Sequence, residues 1–292
     1  MFNGLVQLDN QLQPIPSIAK SWQIDSFGKI YTFTLKKDVY FHDNACFPNK
    51  SRNVTAHDFA YSFKRIIDSK TASPGAWIFN DKIANNGFVA VNDTIFQIHL
   101  KQAFAPFLGM LAMPYCGVVP KEAIKKYGKS FSQNPVGTGP FTFFLWEKDV
   151  NLVLHKNPNY FEYDQGKRLP YLDAVSISFI ANKQMALLQF LDQKLDLFNG
   201  ITSTTKDIIL NDDGNLHDKL HGYISLEKKA FLNTEYLAIQ VDSVTATTPW
   251  DNVHFRRSIN YAIDRKAMIR YLRNGVGNPA DGGFIPLGLQ GH

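Results

Sequence analysis

Two neighbouring stretches decide the fold class: Lys29-Ile-Tyr-Thr-Phe-Thr-Leu-Lys36 and Val54-Thr-Ala-His-Asp-Phe-Ala-Tyr-Ser-Phe-Lys-Arg65. The first alternates apolar with polar residues and is rich in β-branched and aromatic side chains, so it reads as a strand with one buried face. With Trp22-Gln-Ile24 before it and Phe27-Gly28-Lys29 as the turn, it makes a hairpin. The second repeats its apolar residues at Phe59, Phe63, Ile66 and Ile67, the spacing of one helix face. Thr55 stands at the cap and Asp58 three residues on, which predicts a helix over 56–68. Strand followed by capped helix points to a mixed α/β or α+β chain.

The same signals extend outward. Residues 5–8 read as a strand, Asp9-Asn10 as a turn and 14–20 as a proline-punctuated segment. Residues 88–91 and 95–100 form a second hairpin around Asn92-Asp93, and a helix starts near Pro106. Residues 119–128 have proline at a helix start and glycine at its end. Strands are expected over 141–146, 151–155, 174–180, 195–198 and 237–241, with helices over 183–193 and 253–274. The last fourteen residues are crowded with Gly and Pro, and a chain ending in mid-loop suggests truncation.

Composition narrows the function classes. At 292 residues, one large domain and two domains are about equally expected. With 45% hydrophobic and 20% charged residues the chain is an ordinary globular one, enriched in aromatics by 23 Phe and 12 Tyr. The net charge of +5 is scattered, with no run of five basic residues, which argues against a nucleic-acid patch. No apolar stretch approaches the roughly 18 residues of a membrane span. Met1-Phe-Asn-Gly opens with neither a basic n-region nor an apolar h-region, leaving a cytosolic protein or a missing start. Cys46 and Cys116 match no CxxC motif, and whether they pair is open.

The motifs that invite chemistry have simpler readings. His42-Asp43 and His57-Asp58 bring imidazole beside carboxylate, but neighbours on a strand face opposite ways and neither pair has HExxH spacing. A structural role is expected for both. Val136-Gly-Thr-Gly-Pro140 lacks the lysine and helix start of a phosphate-binding loop, so a tight, backbone-limited turn is expected. No G-x-S-x-G elbow or cysteine nucleophile signature is present.

Taken in order, several runs resemble one family. Phe2-Asn-Gly-Leu-Val is similar to its F-x-G-L strand, Pro16-Ser-Ile-Ala-Lys-Ser-Trp22 to P-x-L-A-x-S-W, and residues 31–43 to Y-T-F-x-L-R-x-x-V-x-F-H-D. There Asn44 replaces a glycine and an insertion with Cys46 follows. Val54–Arg65 resembles V-T-A-x-D-x-x-x-S-x-x-R, Pro135–Phe141 P-V-G-T-G-P-Y/F, Asn157-Pro-Asn-Tyr-Phe161 N-P-x-Y-W/F, and Arg256–Arg265 R-x-A-I-x-Y-A-I-D-R. The family is the extracytoplasmic solute-binding proteins of the oligopeptide, dipeptide and nickel group, solute-binding protein family 5. The chain departs from it at Ile239-Gln240-Val241, where the family has F-N-T, and at residues 192–196, where it has S-G-E-I-D.

The resemblance implies a periplasmic-binding-protein type II-like fold of two lobes, with an extra domain inserted in the first. It implies a first lobe from 1–17 and 139–240, an extra domain from 18–138, and the opening of a second lobe from 241–292. Most of that second lobe and a leading signal are expected to be missing. Ligand contacts implied are Phe2, Asn3 and Gly4, Ala76 and Trp77, and Gln240; Asn3 stands where peptide binders often carry an acid. No catalytic residue, metal or cofactor is implied. The expected partners are a peptide and the membrane permease subunits of an ABC importer. The expected protein is a monomer in the periplasm or at the outer face of the cytoplasmic membrane, lipoproteins included, and it does not bind nucleic acid. The alternatives are the same fold carrying a nickel chelate, haem or oligosaccharide, and a hydrolase using His42, Asp43 or His57.

Overall fold

The computed structural model describes residues 1–202, 204–228, 233–241 and 249–286. They fall into two compact units, Met1–Phe179 and Ile180–His292. In the first, β1 (Val6–Leu8) pairs with β2 (Pro14–Pro16), so the proline-punctuated segment contributes a short strand. Next come β3 (Ala19–Ile24), β4 (Ile30–Leu35), α1 (Ala56–Ile67), β5 (Ile83–Ala90) and β6 (Ile95–Leu100). These four strands form an antiparallel sheet in the order β3-β4-β6-β5, the two expected hairpins side by side.

The alternation in β4 buries Tyr31, Phe33 and Leu35; the facing positions of β6 bury Phe96, Ile98 and Leu100. Onto this face α1 lays Phe59 and Phe63, both fully buried. The Phe63 ring lies 4.9 Å from Phe79, 5.5 Å from Phe88 and 5.7 Å from Phe96. Burying each such ring stabilises by roughly 1.5–3 kcal/mol, and favourable ring pairs add about 0.5–1.5 kcal/mol. Six of the 23 Phe, namely Phe33, Phe59, Phe63, Phe79, Phe88 and Phe96, are buried in this layer pair.

At the start of α1, the Thr55 N–H donates to Asp58 Oδ2 at 2.9 Å, as the cap signal requires. Asp58 is itself buried and receives both terminal nitrogens of Arg52, which also donates twice to Glu122. Arg52 thereby ties the insertion after Asn44 to α1 and to the helix that carries Glu122. Short helices α2 (Phe107–Met110) and α3 (Lys121–Tyr127) follow, with Gly128 closing α3 at φ +50. Strands β7 (Phe141–Glu147) and β8 (Asn151–Lys156), a small ribbon of β9 (Tyr163–Asp164) and β10 (Lys167–Arg168), and β11 (Ala174–Ser178) complete the unit. The order β11-β8-β7 makes a second antiparallel sheet, with a bulge between Phe143 and Leu145.

The second unit holds α4 (Lys183–Leu191), α5 (Lys206–Ile209), α6 (Val253–Ala262) and α7 (Arg265–Arg273). Its small core joins Leu187, Ile209, Leu210 and Leu216. Three expectations need correction here. Residues 195–198 and 237–241 are not strands; they find no partner strand among the described residues, and Leu197 and Leu237 are exposed. The helix expected over 253–274 is two helices. Asp264 leaves the helix and caps α7, its carboxylate accepting from the Ala267 N–H at 2.9 Å. The left-handed stop falls on Asn274, one residue before Gly275. Residues 287–292 of the Gly/Pro-rich tail lie outside the described residues. Cys46 and Cys116 are free thiols. No helix among the described residues is long and apolar enough to cross a membrane.

Candidate ligand-binding site

The residues the motifs single out begin with Phe2-Asn3-Gly4, which run as a strand-like segment held on both sides by main chain. The Val118 N–H donates to Asn3 O at 3.0 Å and the Ile18 N–H to Gly4 O at 3.2 Å. From the other side the Gly139 N–H donates to Met1 O at 2.8 Å, and the Asn3 N–H donates to Thr138 Oγ1 at 3.2 Å. The loop Val136–Pro140 comes so close that a Cβ on Gly137 or Gly139 would run into the Met1 backbone. This is the backbone-limited turn expected from Val136-Gly-Thr-Gly-Pro140, and it explains why glycine alternates there.

The Asn3 side chain is fully placed. Its Oδ1 accepts from Thr138 Oγ1 at 3.2 Å and its Nδ2 donates to the Tyr160 hydroxyl at 3.2 Å. Tyr160 donates in turn to Glu162 Oε2 at 2.7 Å, and Gln7 Nε2 donates to Glu162 Oε1 at 3.2 Å. Burial, with the carboxylate beside it, pushes the Tyr160 phenol well above its ordinary range, so it remains a neutral donor. Thr138, Tyr160 and Glu162 were not singled out as individual site residues. Asn157-Pro-Asn-Tyr160-Phe161 was the available signal, but spacing could not show that its tyrosine meets Asn3.

His42 anchors the loop from behind. It is buried, and its Nε2 lies 2.9 Å from Gly139 O while the Gly137 N–H approaches its Nδ1 at 3.4 Å. A carbonyl only accepts, so Nε2 carries the proton and Nδ1 is left to accept. Burial pulls the imidazole pKa down to about 4, keeping it in this neutral form. Asp43 is exposed, and His57 is exposed with its Nε2 3.6 Å from Asp93. No hydrogen bond joins His42, Asp43 and His57, so they do not make the acid–base set that a hydrolase would require. Among the described residues no cluster of His, Cys, Asp or Glu is arranged to hold a metal.

Ala76 and Trp77 form one turn of 3-10 helix, Ala76–Ile78, with Trp77 49% exposed. They approach Phe2 through the turn Pro114–Cys116: Gly75 lies against the Tyr115 ring, and Gly117 lies against the Phe2 side chain. Phe2, Tyr115 and Trp77 all remain exposed. Gln240 belongs to the second unit, exposed in the segment 233–241, which forms no strand. What the first unit offers is thus the uncharged segment Phe2–Gly4, its main chain bonded to Val118, Ile18 and Thr138, with the exposed aromatic side chains of Phe2, Tyr115 and Trp77. Exposed aromatic rings can take up the apolar parts of a ligand.

Known proteins carry the same arrangement of sequence. The family model of bacterial extracellular solute-binding proteins, family 5 Middle, matches residues 13–292. The chain is 31% identical to heme-binding protein A of Haemophilus influenzae over 98% of this chain and 51% of the relative. It is 27% identical to the dipeptide-binding protein of Escherichia coli over 100% of this chain and 54% of the relative. Among solved structures, the ABC transporter-associated periplasmic binding protein DppA from Helicobacter pylori, in complex with the peptide STSA, matches with a TM-score of 0.75 and 28% identity. That match covers 94% of this chain and 53% of that one. The chain spans about half the length of the relatives it matches. Its mixed α/β class, and its likeness to two-lobe periplasmic binding proteins, are those the sequence led us to expect. The chain belongs to family 5 of the bacterial extracellular solute-binding proteins.

Proposed function

We propose that this chain is part of an extracytoplasmic solute-binding protein that captures short peptides and delivers them to the permease of an ABC importer. The observation that carries the reading is the match over nearly its whole length to relatives named for dipeptides and oligopeptides. The exposed aromatic side chains of Phe2, Tyr115 and Trp77 near the uncharged segment Phe2–Gly4 support it. On this reading the ligand lies along Phe2, Asn3 and Gly4, with Ala76 and Trp77 beside it. Because Asn3 is neutral, selection at this end is by shape and hydrogen bonding rather than charge.

In the same reading, residues 1–17 and 139–240 contribute to one lobe, 18–138 to an inserted domain and 241–292 to a second lobe. The protein works as a monomer on the outer side of the cytoplasmic membrane, without a cofactor and without catalysing a reaction. Closure of the lobes on a ligand presents the loaded form to the permease. Titration calorimetry of the intact protein with an equimolar mixture of dipeptides and tripeptides, and separately with haem, tests this. Saturable heat with peptide supports it; binding of haem alone assigns the cargo instead to the chemistry named for the Haemophilus influenzae relative.

A further inference from the structure

We infer that His42 is a positioning residue for the ligand-facing segment Phe2–Gly4, acting through the loop Val136–Pro140 without touching the ligand. The inference rests on the proposed role of that segment.

The connection is continuous and local. His42 meets the loop three times: its own N–H donates to Gly137 O at 2.8 Å, Nε2 lies 2.9 Å from Gly139 O, and Nδ1 receives the Gly137 N–H at 3.4 Å. Gly137 and Gly139 flank Thr138, whose hydroxyl takes the Asn3 N–H and gives its proton to Asn3 Oδ1. Gly139 also fixes Met1 O. The loop therefore carries the segment on one side, and the imidazole holds both glycines of the loop. Neither glycine has a side chain to hold its own place, so the ring supplies the packing and the polar partners they lack. Asn157 Nδ2 donates to Gly139 O at 3.0 Å and shares part of this task. It has no bond to Gly137 in the structure, so the Gly137 side of the loop depends on His42.

A buried side chain that only filled space would be replaceable by an apolar one of similar size. A positioning residue is replaceable only by one that restores the hydrogen bonds. His42→Leu keeps the bulk and leaves Gly137 N–H without a partner. In His42→Gln the amide reaches toward Gly139 O, and in His42→Asn the carbonyl oxygen takes the place of Nδ1 opposite the Gly137 N–H.

The test has two readouts on the intact protein. Amide hydrogen exchange of Asn3, Val118 and Gly139 reports the segment directly and needs no ligand. Titration with the equimolar dipeptide and tripeptide mixture reports the consequence. The expected result for His42→Leu is exchange at least tenfold faster at these amides than in wild type while the sheet β3-β4-β6-β5 is unchanged, and affinity about tenfold weaker, the worth of one buried hydrogen bond. His42→Asn, which restores a partner for the Gly137 N–H, should recover most of both, and His42→Gln, which restores only the bond to Gly139 O, should recover less. Unchanged exchange at Asn3 and Val118 in His42→Leu overturns the inference, as does equal loss in all three variants. If His42→Leu does not fold, the Asn and Gln variants decide it by the same readouts. Wild-type protein that takes up no peptide overturns the proposed function, while the exchange data still judge the positioning role.

Discussion

Acid should unlock the loop that His42 holds. An unfolded imidazole titrates near 6.5, whereas burial lowers that of His42 to about 4; the bond to Gly139 and the Asp43 carboxylate pull the other way. Between these values the unfolded chain binds a proton that the folded chain refuses, so stability rises with pH there. The contribution is complete above about pH 6.5 and is lost as pH falls through about 4. The full difference of two and a half units corresponds to about 3 kcal/mol, and most of it is gone by about pH 4.5. Against a typical stability of about 5–15 kcal/mol this is large. Urea unfolding of wild type and His42→Gln at about pH 7.5 and about pH 4.5 isolates the effect. Carboxylates with lowered pKa, such as Glu122 beside Arg52 and Asp25 with the Ile30 N–H, lose stability in both proteins alike and cancel. Wild type should lose about 2–3 kcal/mol more than the variant across that interval. Parallel losses within about 0.5 kcal/mol would refute the assignment of a buried, neutral His42.

The core and the polar ties make further predictions. Phe63→Ala removes a fully buried ring in contact with Phe59, Phe79, Phe88 and Phe96, and should cost about 3–5 kcal/mol in urea unfolding. Arg52→Leu strands the buried Asp58 carboxylate and should cost about 2–4 kcal/mol, whereas Glu122→Gln leaves the Arg52–Asp58 pair intact and should cost under about 1 kcal/mol; similar losses would contradict this division. Asp264→Ala removes the cap of α7 and should cost about 1 kcal/mol, seen as faster amide exchange in the first turn, Arg265 to Ala267.

Local patterns carried most of the fold. The alternation of β4, the cap of α1 and the turn residues of both hairpins act within a few residues of one another, which is the range that sequence spacing reports. The two strands expected at 195–198 and 237–241 fail for a different reason. An extended run becomes a strand only when another strand takes its N–H and C=O groups, and that partner is not specified by the run itself. The break between α6 and α7 turns on one residue, Asp264, whose carboxylate caps α7, and helical spacing does not report a cap inside a continuous helix-forming run. The site was legible as a set of motifs and not as contacts. Asn3 meets Thr138 across 135 residues and Tyr160 across 157, and His42 meets Gly139 across 97; no spacing rule spans such distances.

Native mass spectrometry of the intact protein, gently purified from its own host, tests the central claim of peptide capture most directly, because it weighs whatever ligand the protein carries. The account predicts a ladder of small added masses fitting peptides of a few residues; a single added mass matching haem, a metal chelate or a sugar would contradict it.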